Sequence, residues 1–278
     1  MPELPEVETS KEYLKLFLLN SKILDIKVNV PKLRWKISPD IKKIFINTKV
    51  LKIYRIGKYI LMNTSNNNTL IIHLGMSGYL TIDQPNLKIK KHDHIVVNFE
   101  EIKGSKKKLV FNDQRRFGYI DFYQTSILKK HFLIKNLGID GLSKSLKHDF
   151  LKTKFSKKTI FIKNALLDQK IICGIGNIYA SEILFYSKIN PLKKVNQLSK
   201  NEIDSLLFNI NLVLSKAVLN GGTTIKDFKQ PNGKVGYFKQ KLKVYGRDTL
   251  KCYDCSNTIF KLNINKRATY ICPECQKN

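Results

Sequence analysis

Pro2, Glu3 and Glu6 at the start of the chain, and four cysteines near its end, are the residue types best able to do chemistry. The chain opens Met1-Pro2-Glu3-Leu4-Pro5-Glu6-Val7-Glu8, so trimming the initiator leaves Pro2 with a free secondary amine beside carboxylates. An α-amino group titrates near ~7.7–8, well below the ~10.4 of a lysine, so part of it is unprotonated at neutral pH without any burial. Such amines attack carbonyl-like carbons, and a secondary amine yields a charged iminium, a good electron sink. Glu3 and Glu6 lie three residues apart. If a helix starts here they share a face and suit a proton donor and its orienting partner. The same residues also fit an ordinary helix start, with proline in the first turn and acids at the positive end of the dipole.

Cys252-x2-Cys255 and Cys272-x2-Cys275 stand sixteen residues apart. Each pair offers two thiolates from one turn, and four thiolates complete a tetrahedral Zn²⁺ shell. A shell filled by protein has no position for water, so one structural zinc ion is expected. The segments Thr258-Ile259-Phe260 and Thr269-Tyr270-Ile271 read as a short hairpin, on which Arg267 would face a phosphate with little entropy loss. Cys173 stands alone in an apolar stretch and reads as a small buried residue.

Charge narrows the partner. Fifty Lys+Arg against 22 Asp+Glu give a formal net charge of +28, which points to a polyanion. Forty-four of the fifty are lysines in a chain also rich in Asn and Ile, which looks like compositional bias. The six arginines, Arg34, Arg55, Arg115, Arg116, Arg247 and Arg267, are therefore the better pointers, since their planar fork grips phosphates or base edges. No apolar run approaches a membrane span, and the N-terminus has no apolar signal segment. A cytoplasmic protein with no membrane association is expected, monomeric because no coiled-coil heptads occur.

The elements that must position these groups change character once. From Lys22 to Tyr123 short apolar segments read as strands, at Val50 to Ile56, Tyr59 to Met62, Leu70 to Leu74, Ile95 to Phe99, Leu109 to Phe111 and Tyr119 to Phe122. That is a sandwich or barrel signature. After Leu128 the pattern turns helical. Ser199-Lys200-Asn201-Glu202 is a capping box, followed by Ile203, Leu206, Leu207, Ile210, Val213, Leu214, Ala217 and Val218 at helical spacing, and Asn220-Gly221-Gly222 ends the helix. The polar stretch from Leu142 to Lys158 reads as a hinge.

Eight segments in order then resemble one family: Pro2 to Thr9, Arg55 to Tyr59, His73 to Gly78, Lys91 to His94, Asp113 to Gly118, Gly174 to Glu182, Gly221 to Thr224 with Asp227-Phe228, and the four-cysteine tail. Together they resemble bacterial formamidopyrimidine-DNA glycosylase, colinearly over the whole chain. The resemblance implies an α+β fold of two domains: an N-terminal β-sandwich with an N-terminal helix, then a helical domain with a helix-two-turn-helix and a zinc-bound β-hairpin. The implied division is a catalytic domain at 1–130, a linker at 131–157, the helix-two-turn-helix with a lesion-binding loop at 158–245, and a zinc finger at 246–278.

The resemblance also implies roles. Pro2 attacks the sugar C1′ of an oxidised purine nucleotide, Glu3 shuttles protons at the sugar and Glu6 fixes the terminus. Lys58 serves β-elimination and Arg267 δ-elimination, the latter mainly by charge, since an arginine hardly releases its proton. Met76, Arg115 and Phe117 fill the gap left by the flipped nucleotide, and His92, Arg115, Arg116, Lys158 and Asn177 contact DNA. Thr223 to Tyr237 resembles a loop that closes over the base, with Gly233 and Gly236 suited to motion. The expected substrate is double-stranded DNA at the nucleoid. Two other readings stay open: a glycosylase for oxidised pyrimidines, of the endonuclease-eight type, and a non-catalytic zinc-ribbon protein that binds nucleic acid by charge.

Overall fold

Apolar side chains alternating along the first half of the chain need two facing sheets to bury them. The computed structural model, which describes residues 1–223 and 238–277, supplies both. Helix α1 (Leu4–Leu18) is followed by β1 (Lys22–Val28), α2 (Ile41–Phe45), β2 (Val50–Ile56), β3 (Tyr59–Thr64), β4 (Asn68–His73), β5 (Tyr79–Asp83), β6 (Asp93–Glu100), β7 (Lys106–Asn112) and β8 (Tyr119–Gln124). The strands form two four-stranded antiparallel sheets, ordered β1-β6-β7-β5 and β2-β3-β4-β8. Alternation is visible within β3, where Ile60 and Met62 join the central core while Leu61 joins a second cluster with Ile71 and Leu128 on the opposite face. Val7, Leu14 and Leu18 of α1 enter the central core. Each such side chain contributes ~1.5–3 kcal/mol, which is what holds the chain start against the sandwich.

Two tight connections bring functional side chains to strand ends. Ile56 pairs with Tyr59, leaving Gly57-Lys58 as a two-residue turn in which Gly57 takes φ +56°. At Gly75, φ is +66°, and a Cβ there would lie 2.4 Å from the backbone of Phe117 and Gly118. Only glycine lets those two loops touch.

The chain divides into two units. The first holds 1–135 together with 221–223, and the second holds 136–220 together with 238–277. Residues 131–135 of the expected linker thus pack with the sandwich, and the rest of it belongs to the second unit. There the order is β9 (Ile139–Asp140), α3 (His148–Ser156), α4 (Ile162–Leu167), β10 (Ile172–Cys173), α5 (Asn177–Tyr186), α6 (Lys200–Leu219), β11 (Phe260–Ile264) and β12 (Arg267–Ile271). The capping box at α6 is present: Glu202 N–H donates to Ser199 Oγ at 3.2 Å, and Ser199 N–H donates to Glu202 Oε2 at 2.8 Å. The core face of α6 is narrower than its spacing suggests, with Leu207 and Val218 only half-buried. Cys173 is fully buried. Strands β11 and β12 form the hairpin, beginning two residues later than the sequence suggests. Asn265 and Lys266 make its turn with φ of +47° and +60°, the mirror-image geometry that fits strand twist. Among the described residues no helix is long and apolar enough to cross a membrane.

Candidate functional site

The start of α1 is built around two acids. Glu3 is the N-cap, and its N–H donates to Glu6 Oε2 at 2.8 Å. Glu6 Oε1 accepts from both the N–H and the hydroxyl of Thr223, at 2.7 and 2.9 Å. Glu3 is 2% exposed and Glu6 is fully buried. Glu6 therefore holds the terminus and, with the same carboxylate, the point where the chain enters 224–237. The expected lesion-binding loop lies outside the described residues, apart from Thr223.

Lys58 is the second residue of the β2–β3 turn and is 8% exposed. Its turn is fixed from behind by Arg55, which donates to Gly57 O and, through Nε, to Glu8 Oε2, both at 2.7 Å. One guanidinium thereby ties α1 to the residue preceding Lys58. His73, at the end of β4, accepts Gly75 N–H on Nδ1 at 3.0 Å, with the Tyr59 ring 4.8 Å away. Burial above all, then the cations Lys58 and Arg34, push its pKa down to about 3, so the imidazole is neutral with its proton on Nε2.

His73 opens into a cleft of about 480 Å³ lined by Met1, Leu33, Arg34, Gly75, Met76, Arg116 and Phe117. Met76, Arg116 and Phe117 were expected to meet DNA, and here they share one wall. Arg115 lies over the Phe117 ring at 4.9 Å, and Phe117 is 42% exposed. Behind them Asp113 is fully buried. Its Oδ1 accepts from Ser77 Oγ at 2.6 Å, and its Oδ2 accepts from Gly118 N–H at 2.7 Å. His92 is half-buried, and its carbonyl accepts Asp113 N–H at 3.0 Å.

The remaining expected residues belong to the second unit. Arg267 is exposed at the first position of β12, and Lys158 is half-buried just past α3. Asn177 opens α5. Its Nδ2 donates to Ala268 O at 2.9 Å, while its buried Oδ1 has no hydrogen-bond partner among the described residues. Fully buried Lys163 donates to the same carbonyl at 2.9 Å and to Thr269 Oγ1 at 2.6 Å. Two helices thus grip the residue next to Arg267. Glu182 of α5, also fully buried, accepts the N–H groups of Lys243, Val244 and Tyr245 at 2.8–2.9 Å. Burial raises its pKa, against the pull of those three donors.

The Sγ atoms of Cys252, Cys255, Cys272 and Cys275 lie within 4.8 Å of one another, with Cys252 to Cys275 at 3.9 Å and Cys255 to Cys272 at 3.4 Å. Zn–S bonds of ~2.3 Å in a tetrahedron put sulfurs ~3.8 Å apart, so the donor set fits that ion. Gln276 secures the second knuckle, accepting Cys272 N–H and donating to Ile189 O.

Residues 1–120 match the formamidopyrimidine-DNA glycosylase N-terminal domain, and residues 137–229 match the H2TH domain of the same enzymes. The chain belongs to the formamidopyrimidine-DNA glycosylase family. It is 44% identical over 277 residues to the formamidopyrimidine-DNA glycosylase of Rickettsia bellii, with 100% of each chain covered. The Rickettsia felis relative is 44% identical over 276 residues, covering 99% of this chain and 98% of that one. Among solved structures, the Lactococcus lactis enzyme in complex with DNA containing an abasic site has a TM-score of 0.91 at 32% identity, covering 99% of this chain and 100% of that one. The same enzyme with DNA containing an oxidised pyrimidine has a TM-score of 0.90 at 32% identity, each chain fully covered.

The α+β fold of a formamidopyrimidine-DNA glycosylase, with its sandwich, helical domain and cysteine hairpin, is thus the observed one. Sequence reading missed the supporting groups. Asp113, Glu182 and His73 were quoted within motifs and given no role, Arg55 was read only as one of six arginines suited to phosphates or base edges, and Lys163 was given no role. A lone acid or lysine in an apolar context is a signal for Glu182 and Lys163, whereas Asp113 stands in a polar run beside Asn112 and Gln114. Nothing in the sequence marks Glu8 and Gly57 as the partners of Arg55.

Proposed function

We propose that the chain is a bifunctional repair enzyme that excises oxidised purines from double-stranded DNA and then nicks the strand. The observation that carries this is the chain start: buried Glu3 and Glu6 order the residues around Pro2 beside a cleft walled by Met76, Arg116 and Phe117. Met1 lines that cleft, so its removal both frees the Pro2 nitrogen and opens space beside it. The nitrogen bonds to C1′ as the bond from C1′ to the base breaks, and the base leaves with a proton. The ring C1′–O4′ bond then opens, O4′ takes a proton from Glu3, and an iminium remains. That electron sink acidifies C2′, whose proton loss breaks the C3′–O bond and releases the 3′ phosphate; a second elimination breaks the C5′–O bond. Lys58 serves the first elimination, and Arg267 stabilises phosphate charge in the second.

Extruding the nucleotide costs a few kcal/mol, which Met76, Arg115 and Phe117 offset by filling the stack. His92, Arg116, Lys158 and Asn177 hold the backbone. A Zn²⁺ ion on the four cysteines would fix the hairpin that carries Arg267, and it supplies rigidity alone. The enzyme works as a cytoplasmic monomer on nucleoid DNA. The complex of the Lactococcus lactis enzyme with an oxidised pyrimidine favours a second reading, in which such lesions are also substrates.

Borohydride added during incubation with an 8-oxoguanine duplex should trap a covalent adduct at Pro2 of correctly trimmed protein. Absence of that adduct, with Pro2→Gly binding lesion DNA equally well, would replace the enzyme by a binding module. Comparing release of 8-oxoguanine with release of thymine glycol decides between purine and pyrimidine substrates.

A further inference from the structure

Met76 and the Arg115–Phe117 pair sit on separate loops, 39 residues apart between Met76 and Arg115, yet wedging a duplex requires them to advance as one body. Two side chains, Asp113 and Ser77, join the two loops. Asp113 takes the hydroxyl of Ser77, the residue after Met76, on one carboxylate oxygen at 2.6 Å, and the N–H of Gly118, the residue after Phe117, on the other at 2.7 Å. Ser77 Oγ in turn accepts the Arg115 N–H at 3.1 Å. The Asp113 carbonyl accepts from His94 Nε2 at 2.8 Å and closes the turn by accepting Arg116 N–H at 3.3 Å, while its own N–H donates to His92 O at 3.0 Å. Arg116 is held at φ +54°, a conformation a non-glycine residue keeps only when its surroundings over-determine it.

Asp113 is fully buried and Ser77 is 3% exposed, so water does not compete for these bonds. A carboxylate in that position has no exposed surface with which to touch DNA.

We propose that Asp113, acting through Ser77, is a positioning residue that presets the spacing between Met76 and the Arg115–Phe117 pair, and so governs nucleotide extrusion and discrimination of the base opposite the lesion. This rests on the proposed insertion of those three residues. Asparagine at 113 could not accept from both donors, since its amide nitrogen would face either the Gly118 N–H or the Ser77 hydroxyl. Alanine at 77 would remove the bridge to Arg115 and leave the Asp113 carboxylate in place.

The test uses full-length, Met1-trimmed Ser77→Ala and Asp113→Asn, with Phe117→Ala beside them. Extrusion is read by stopped-flow fluorescence of 2-aminopurine next to 8-oxoguanine, specificity by the ratio of excision rates opposite cytosine and adenine, and chemistry by cleavage of a single-stranded abasic oligonucleotide, which has no stack to wedge. Extrusion in both variants should slow by roughly 10- to 100-fold, the upper figure being the scale of an ångström misplacement, and the cytosine-to-adenine ratio should fall. Cleavage of the single strand should stay near wild type, which shows that the variants fold. Wild-type extrusion and an unchanged ratio in both variants, with Phe117→Ala defective, would overturn the proposal. So would a loss of single-strand cleavage in the same proportion as extrusion. If Phe117→Ala is itself indifferent, the insertion reading is what fails.

Discussion

His73 offers a pH test of the site. Its imidazole is held at about 3 by lost hydration first and then by Lys58 and Arg34, whereas an unfolded chain would titrate it near ~6.5. The folded value is the lower one, so the unfolded state binds more protons between these limits. Stability from the neutral ring is complete above pH ~6.5 and is lost as pH falls toward the folded value. The slope over that window is ~1.4 kcal/mol per pH unit, so about 2 kcal/mol is gone by about pH 5. The assay is urea unfolding of the wild type and His73→Gln at about pH 7.5 and about pH 5, the two sides of the expected transition. Trp35, the one tryptophan, reports on the first unit specifically, its ring lying 4.9 Å from Tyr119. The wild type should lose about 2 kcal/mol more than the variant on acidification. Equal losses, or an NMR titration of His73 centred near its ordinary value, would refute the reasoning.

Metal analysis should find zinc bound to the purified chain and none on Cys255→Ser, whose hairpin should melt early and whose affinity for DNA should fall. Lys163→Met strips a charged donor from Ala268 O and Thr269 Oγ1, at about 1.5–3 kcal/mol per bond. Thermal melting should register that loss, and nicking of abasic DNA should drop as Arg267 loosens; an unmoved melting temperature would contradict the buried clamp. Lys266→Gly relieves a left-handed lysine in the hairpin turn and should raise hairpin stability by up to ~1 kcal/mol, seen as slower hydrogen exchange in β11 and β12. Gly222→Ala puts a Cβ 2.7 Å from Glu6 Oε1 at φ +75°, so adduct trapping should slow while affinity for undamaged DNA holds.

What could be read from sequence were features with a local period or a fixed spacing. The β segments, the capped helix α6 and the doubled C-x2-C all depend on neighbours within one turn or one hairpin. The α1 start was legible for the same reason, since Glu3 and Glu6 are three residues apart. Glu6 meeting Thr223 was not legible, because 217 residues separate them and no local pattern encodes the meeting. The same holds for Arg55 with Glu8, 47 residues apart, and for Lys163 with Thr269, 106 apart. The hairpin boundary was missed by two residues because Thr258 and Ile259 have strand-like side chains, but Thr258 makes only an isolated bridge, to Lys251.

Glu6, Asp113, Lys163 and Glu182 are each fully buried, and burial of a charge costs several kcal/mol unless hydrogen bonds return it. Their partners explain why these charges persist. Each binds main-chain groups of a segment with no strand or helix ladder to satisfy them, or of the hairpin next to Arg267: Glu6 the N–H groups of Glu3 and Thr223, Asp113 that of Gly118, Glu182 those of Lys243 to Tyr245, and Lys163 the carbonyl of Ala268. An apolar side chain of equal volume would fill the space and leave those groups bare, each at a cost comparable to a lost hydrogen bond. Acids are the scarcer charge in this chain, 22 against 50, so surface cations can serve the polyanion while three buried carboxylates collect backbone donors. Substitution at any of the four should therefore displace a proposed DNA-facing residue, or the chain re-entering after 237, before it weakens the core.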